Sequence, residues 1–187
     1  MKTGQNTPIQ RYGSVAMLLH WVLAIAIVTA FVVGLTLEDM PLSPSKIKFI
    51  NWHKWAGVGI LFLSALRLVW RITHRPPVLP EGIQQAMPGW QRMAYHGTHH
   101  LMYLLLFVVP LLGWAYSSAK GYPIVWFGVL PLPDLVAPNK DLAEVLEEAH
   151  GAAAFALMGL VGLHVAAALK HQFIDKDGLL DRMRPGR

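Results

Sequence analysis

The chain has 187 residues, 54% hydrophobic and 14% charged, with no cysteine and a formal net charge of +5. Soluble domains carry about 25% charged residues, so the composition excludes an ordinary soluble enzyme and points to an integral membrane protein of about four spans. The lack of cysteine excludes disulfides, cysteine-held iron–sulfur clusters and thioether-attached haem. Nine His and eight Met remain as ligands for a redox centre.

The N-terminal stretch MKTGQNTPIQRYG is polar and has no small-residue cleavage site, so it is expected to be retained. The first span is predicted over residues 14–37, with His20 followed by Trp21. Glu38, Asp39 and the prolines at 41 and 44 end it. The second span is predicted over 49–73. It opens with His53 between Trp52 and Lys54 and closes with Arg67, Arg71 and Arg75 ahead of Pro76-Pro77. Arg71 can snorkel to the interface. Arg67 lies deeper and is expected to meet an anion, a haem propionate or a lipid phosphate. Residues 76–92 read as a loop. The third span, 95–117, carries His96, His99 and His100 in its first turns and a tolerable Pro110 within it. The connection 118–147 is rich in aromatics and proline, with a short surface helix expected over its acidic end. The fourth span, 148–171, holds His150 and His164.

Eleven of the sixteen Lys and Arg residues fall in or beside the N-terminus, the 74–92 loop and the C-terminal tail. The positive-inside rule therefore places both termini in the cytoplasm. The positive charge is topogenic, and no nucleic-acid partner is expected.

His150 and His164 are fourteen residues apart, about 21 Å along a helix and within about 40° of one face. Topology puts His53 at the depth of His150, and His20 at the depth of His164. The expected arrangement is two stacked haems, His53 with His150 in the outer layer and His20 with His164 in the inner. Imidazole on both sides fills both axial positions of an iron, which suits electron transfer rather than oxygen binding. His96, His99 and His100 are a surplus in the inner layer, either substitute ligands or the lining of a quinone pocket. Gly57, Gly59, Gly151, Gly159 and Gly162 would admit a flat macrocycle or a close-packed helix equally well.

The segments RYGSVAMLLHW, WHKWAGVGILFLSALRLVWRITHRPP, HHLMYLLLFVVPLLGW and HGAAAFALMGLVGLHVAAALKH resemble bacterial cytochrome b561. This family is related to the cytochrome b subunits of nickel–iron hydrogenases and formate dehydrogenases. The resemblance runs from about residue 11 to 185. It implies an all-α, four-helix bundle in the bacterial inner membrane with two b haems on His20, His53, His150 and His164. Arg67 and Arg71 become propionate contacts, and ubiquinone the redox partner. It also implies electron exchange with the quinone pool, and in some relatives superoxide oxidation at the periplasmic face. On that reading Lys54, Lys120 and the YPIVWFG segment would guide the anion.

Two alternatives compete. One is a membrane-anchor subunit of a hydrogenase or dehydrogenase complex, although the short loops favour a free-standing protein. The other is a His-rich metal transporter, although transporters more often place carboxylates within their spans and none lies at mid-membrane here.

Overall fold

In a computed structural model of the chain, residues 10–79, 81–86 and 88–184 are described. Lys2, Arg187 and the residues before Gln10 lie outside them. Four long helices dominate: α1 (Ser14–Asp39), α2 (Pro44–Thr73), α4 (Gly89–Ala119) and α5 (Lys140–Lys170). All four are long and apolar enough to cross a membrane. A six-residue helix, α3 (Glu81–Ala86), interrupts the stretch expected to be plain loop.

The helix ends follow local chemistry. Pro44 sits in the first turn of α2, where its missing N–H costs nothing, and the Ser43 hydroxyl accepts from Lys46 N at 3.2 Å. The Asn139 side chain caps α5 by accepting from Leu142 N at 2.9 Å. Asp141 in the first turn and Lys170 in the last complement the helix dipole. The acidic segment expected as a separate surface helix is therefore the start of α5, eight residues ahead of the predicted boundary. Asn139 supplies the start signal, and no residue between it and His150 breaks the helix.

Apolar side chains surround these helices instead of forming one stripe. Leu18, Phe62, Leu104 and Leu163 are exposed, while Leu19, Leu23, Ile60, Leu106 and Leu157 form the thin core. Such an outside belongs in lipid. α4 packs along α5 and α2, and α1 along α2. α5 meets α1 and α2 through rings bridging a gap, His20–His164, Phe31–Phe155 and His53–His150, not through close backbone approach.

The connection after α4 folds as a lid over one end of the bundle. β1 (Val125–Trp126) pairs antiparallel with β2 (Leu130–Pro131). The turn needs positive φ at Phe127 (52°) and Gly128 (73°), and glycine meets the second without strain. Indole N–H groups pin the lid. Trp55 donates to Val125 O at 2.7 Å, Trp126 to Trp55 O at 3.1 Å and Trp114 to Pro133 O at 3.1 Å. Lys120 donates to the Tyr116 hydroxyl at 2.7 Å, and that bond raises the lysine pKa.

At the opposite end, the first and last described segments meet. After α5 the chain makes a π-helical turn (His171–Asp175) and a 3-10 turn (Leu180–Arg182), then runs back under the bundle. Tyr12 N donates to Arg182 O, and Trp21 Nε1 to Met183 O at 2.8 Å. Arg182, only 4% exposed, donates to Gln10 O, Pro77 O and Val78 O at 3.0, 2.6 and 3.1 Å. One buried guanidinium thus ties the N-terminal segment, the α2–α3 loop and the tail together.

Candidate redox-cofactor site

His150 lies ten residues into α5 from its lid end, and His164 lies fourteen residues further along the same helix. His53 of α2 faces His150 with ring centroids 6.1 Å apart, and His20 of α1 faces His164 at 6.2 Å. A metal–imidazole bond is about 2.0–2.1 Å and a ring centroid lies about 1.2 Å inside its nitrogen. Two imidazoles on opposite sides of one metal would therefore have centroids about 6.5 Å apart. Both separations lie within about 0.4 Å of that value, so the helices hold each pair close to the span that two imidazoles on one metal would need.

The rings are oriented by second partners. His150 Nδ1 donates to Val109 O at 3.0 Å, which leaves Nε2 as the free lone pair. That carbonyl belongs to the residue before Pro110 in α4. His53 Nδ1 is buried beside the Ala30 carbonyl without a well-formed hydrogen bond to it. In the other layer an Arg67 N–H donates to His20 Nδ1 at 3.2 Å, with further bonds to Tyr103 Oη (3.2 Å) and Ala16 O (3.3 Å). Arg67 thus stands beside His20, while Arg71, one turn on, lies over the Tyr103 ring at 5.6 Å.

Glycines make room for these rings. A Cβ at Gly113 would lie 2.9 Å from His150 Cε1, and one at Gly34 would lie 3.3 Å from His53 Cε1. Neither glycine stood out in the sequence, because each faces a histidine on another helix. Gly57, one turn after His53, and Gly151, next to His150, are half-buried, yet a Cβ at either would meet no atom within 4 Å. The same open space surrounds Gly59, Gly159 and Gly162. Close helix packing, one of the two expected uses of these glycines, is therefore absent. The room beside the outer pair suits a flat macrocycle.

The three surplus histidines separate. His99 is half-buried, 5.3 Å from His164, with its Nδ1 donating to Tyr95 O at 2.6 Å. His96 and His100 are exposed on α4, with His100 Nδ1 donating to His96 O at 2.8 Å. His171 is half-buried. Its Nδ1 lies 2.6 Å from Asp177 and 3.2 Å from Asp175. These three residues could present ligand atoms to a metal within 4.8 Å of one another. The Lys170 ammonium, however, already lies 2.6 and 2.9 Å from the Asp175 oxygens.

A family model described as prokaryotic cytochrome b561 matches residues 11–186. The chain is 32% identical over 179 residues to cytochrome b561 homolog 2 of Escherichia coli (strain K12), covering 95% of this chain and 93% of that one. It is 29% identical to cytochrome b561 homolog 1 of the same organism, over 96% and 99% of the two chains. It is 28% identical to the probable superoxide oxidase CybB of Yersinia pestis, over 94% and 97%. Given that match along nearly its whole length, the chain belongs to the prokaryotic cytochrome b561 family, haem b-binding electron-transfer proteins that pass several times through the bacterial inner membrane.

Proposed function

We propose that this chain holds two b haems, one on His53 and His150 and one on His20 and His164, and passes electrons across the bilayer between an outer donor and ubiquinone. The observation that carries this reading is the pair of imidazole separations, 6.1 and 6.2 Å, at two levels of α5. Haem b, when bound, would supply one-electron chemistry, and the four histidines would hold it. His99 approaches His164 about 1 Å closer than two imidazoles on one metal would stand, which favours His20 as the ligand, with His99 flanking the inner site. Ligation through His20 Nε2 requires the ring proton on Nδ1. Arg67 must then release Nδ1 and turn its charge to an anionic group at the same edge, with Arg71 one turn behind. Both termini and the arginine-rich end face the cytoplasm, following the basic residues of the tail and loop.

The outer reactant is proposed to be superoxide. Lys54 follows His53 directly, and its ammonium, 3.1 Å from Tyr122 O, makes no ion pair among the described residues. Lys120, by contrast, is engaged by Glu147 at 3.6 Å. An unpaired cation next to His53 favours a small anion, and the Yersinia relative is named for that substrate. His96 and His100, exposed at the cytoplasmic end of α4, are proposed to meet the quinone head group and carry its protons.

The test is the haem-to-chain ratio and the reduced-minus-oxidised spectrum of the purified protein. Two haems with a b-type spectrum are expected, reduced by a superoxide source and reoxidised by ubiquinone. A ratio of one, or a spectrum of high-spin iron, would overturn the pairing. Intact haems that superoxide leaves oxidised would overturn the substrate alone.

A further inference from the structure

A cavity of about 450 Å³ opens between α1, α2 and the returning tail at the terminal end. Arg11, Arg67, Arg71 and Arg75 line it, and no carboxylate among the described residues does. Arg67 and Arg71 fall one turn apart on α2, and Arg75 follows just past the helix end at Thr73. None of them makes an ion pair with a described carboxylate, and Asp181 nearby is taken by Arg184 at 3.7 Å. Arg67 is held by neutral partners, Tyr103, Ala16 and the His20 ring. Arg11 is fixed in the opposite wall by donating to the carbonyls of Asp181 and Arg184.

Four guanidinium groups around one space repel each other where the dielectric is low, and an anion between them reverses that. The position narrows the class of anion. The cavity sits where four apolar spans reach their polar end, and Trp70, Pro76, Pro77 and Met183 give it apolar walls. Its volume is about fifteen times the ~30 Å³ of a liquid water, enough for a phosphate diester with its glycerol. Arg75 lies outside α2, two residues past its last residue, where the backbone has turned extended at His74. Arg67 and Arg71 suffice for an anionic group of the inner cofactor, which leaves the mouth at Arg75 for a second ligand.

We propose that this cavity binds the phosphate of an anionic phospholipid from the leaflet at the terminal end, with Arg75 holding the phosphate oxygens. The lipid's glycerol and first acyl carbons lie against the apolar wall. Only the name of that leaflet, cytoplasmic, rests on the orientation proposed above. The haem assignment is not needed.

The experiment uses the haem-loaded, delipidated protein in neutral detergent and counts bound lipid by native mass spectrometry. The titrants are phosphatidylglycerol, phosphatidylcholine and inorganic phosphate. One phosphatidylglycerol per chain is expected, in preference to phosphatidylcholine and undisplaced by millimolar phosphate. Arg75→Gln should weaken it about fivefold, the increment for one basic group, with haem content unchanged. Arg75→Lys should keep most of the binding, and Lys48→Gln at the other end should keep all of it. Equal binding of the two lipids, or an equal loss in Lys48→Gln, would overturn the site. Displacement by inorganic phosphate would make free phosphate the ligand and overturn the lipid. Haem loss in Arg75→Gln would assign the arginine to the cofactor and overturn the proposal.

Discussion

The Val109 carbonyl accepts from His150 Nδ1 at 3.0 Å, and Gly113, one turn further along α4, leaves no room for a Cβ beside the same ring. α4 contributes no residue to the proposed axial set, yet it fixes the tautomer of one member and shapes the space around it. A methyl at position 113 would come within 2.9 Å of Cε1. Overpacking of this kind typically costs about 1–3 kcal/mol. Gly113→Ala is therefore expected to weaken retention of the outer haem about tenfold or more, read as a fall in the haem-to-chain ratio from two towards one. Gly57→Leu should do the same by filling the cradle, without changing helix content by circular dichroism.

His53→Ala and His150→Ala should each remove the outer haem and leave the inner, whereas His20→Ala should remove the inner one. His99→Ala should keep both, with a shifted spectrum of the inner haem. Pyridine haemochrome titration gives the count. Two haems surviving His20→Ala would move the inner ligand to His99.

Arg182→Ala removes three hydrogen bonds from a group 4% exposed and leaves their carbonyl acceptors unpaired. The expected loss is about 2–4 kcal/mol. It should appear as a lower unfolding midpoint in detergent and as faster proteolysis of the tail. Arg182→Lys should recover only part, since one ammonium cannot reproduce the spread of the guanidinium donors.

Ser64 is fully buried in α2, and its hydroxyl has no hydrogen-bond partner among the described residues. Removing an unsatisfied buried hydroxyl is neutral or stabilising. Ser64→Ala should keep both haems and leave the thermal midpoint unchanged or slightly raised. A marked loss of haem would show that the hydroxyl serves the cofactor.

Zinc and calcium at micromolar concentration should not shift the thermal midpoint, and chelators should not lower it. A metal at His171, Asp175 and Asp177 must first displace the Lys170 ammonium from Asp175. A chelator-sensitive midpoint would revive the metal-handling alternative.

The layering of the histidines was legible because depth along a membrane helix is arithmetic on residue number. The fourteen-residue step on α5 and the direction of each span suffice to pair His53 with His150 and His20 with His164. What one helix presents to another was not legible. Gly34 and Gly113 carry no local mark of the rings they face, and nothing in the run of His96, His99 and His100 says which one turns inward. The burial of the tail was not legible for a different reason. Arg182 and His171 have the composition of surface residues, and only the fold-back of 176–184, with Trp21 donating to Met183 O, buries them. The start of α5 at Lys140 was marked by Asn139, but the acids after it suggested a separate element.

Because His150 and His164 stand on one continuous helix while their partners belong to α2 and α1, the two pairs differ in what can disturb them. A shift of α1 or α2 changes one gap and spares the other. A rotation or slide of α5 moves both histidines in concert, opening or narrowing the two layers together. Mechanically α5 is a common axle, and strain applied at the lid reaches the opposite layer without crossing any flexible joint.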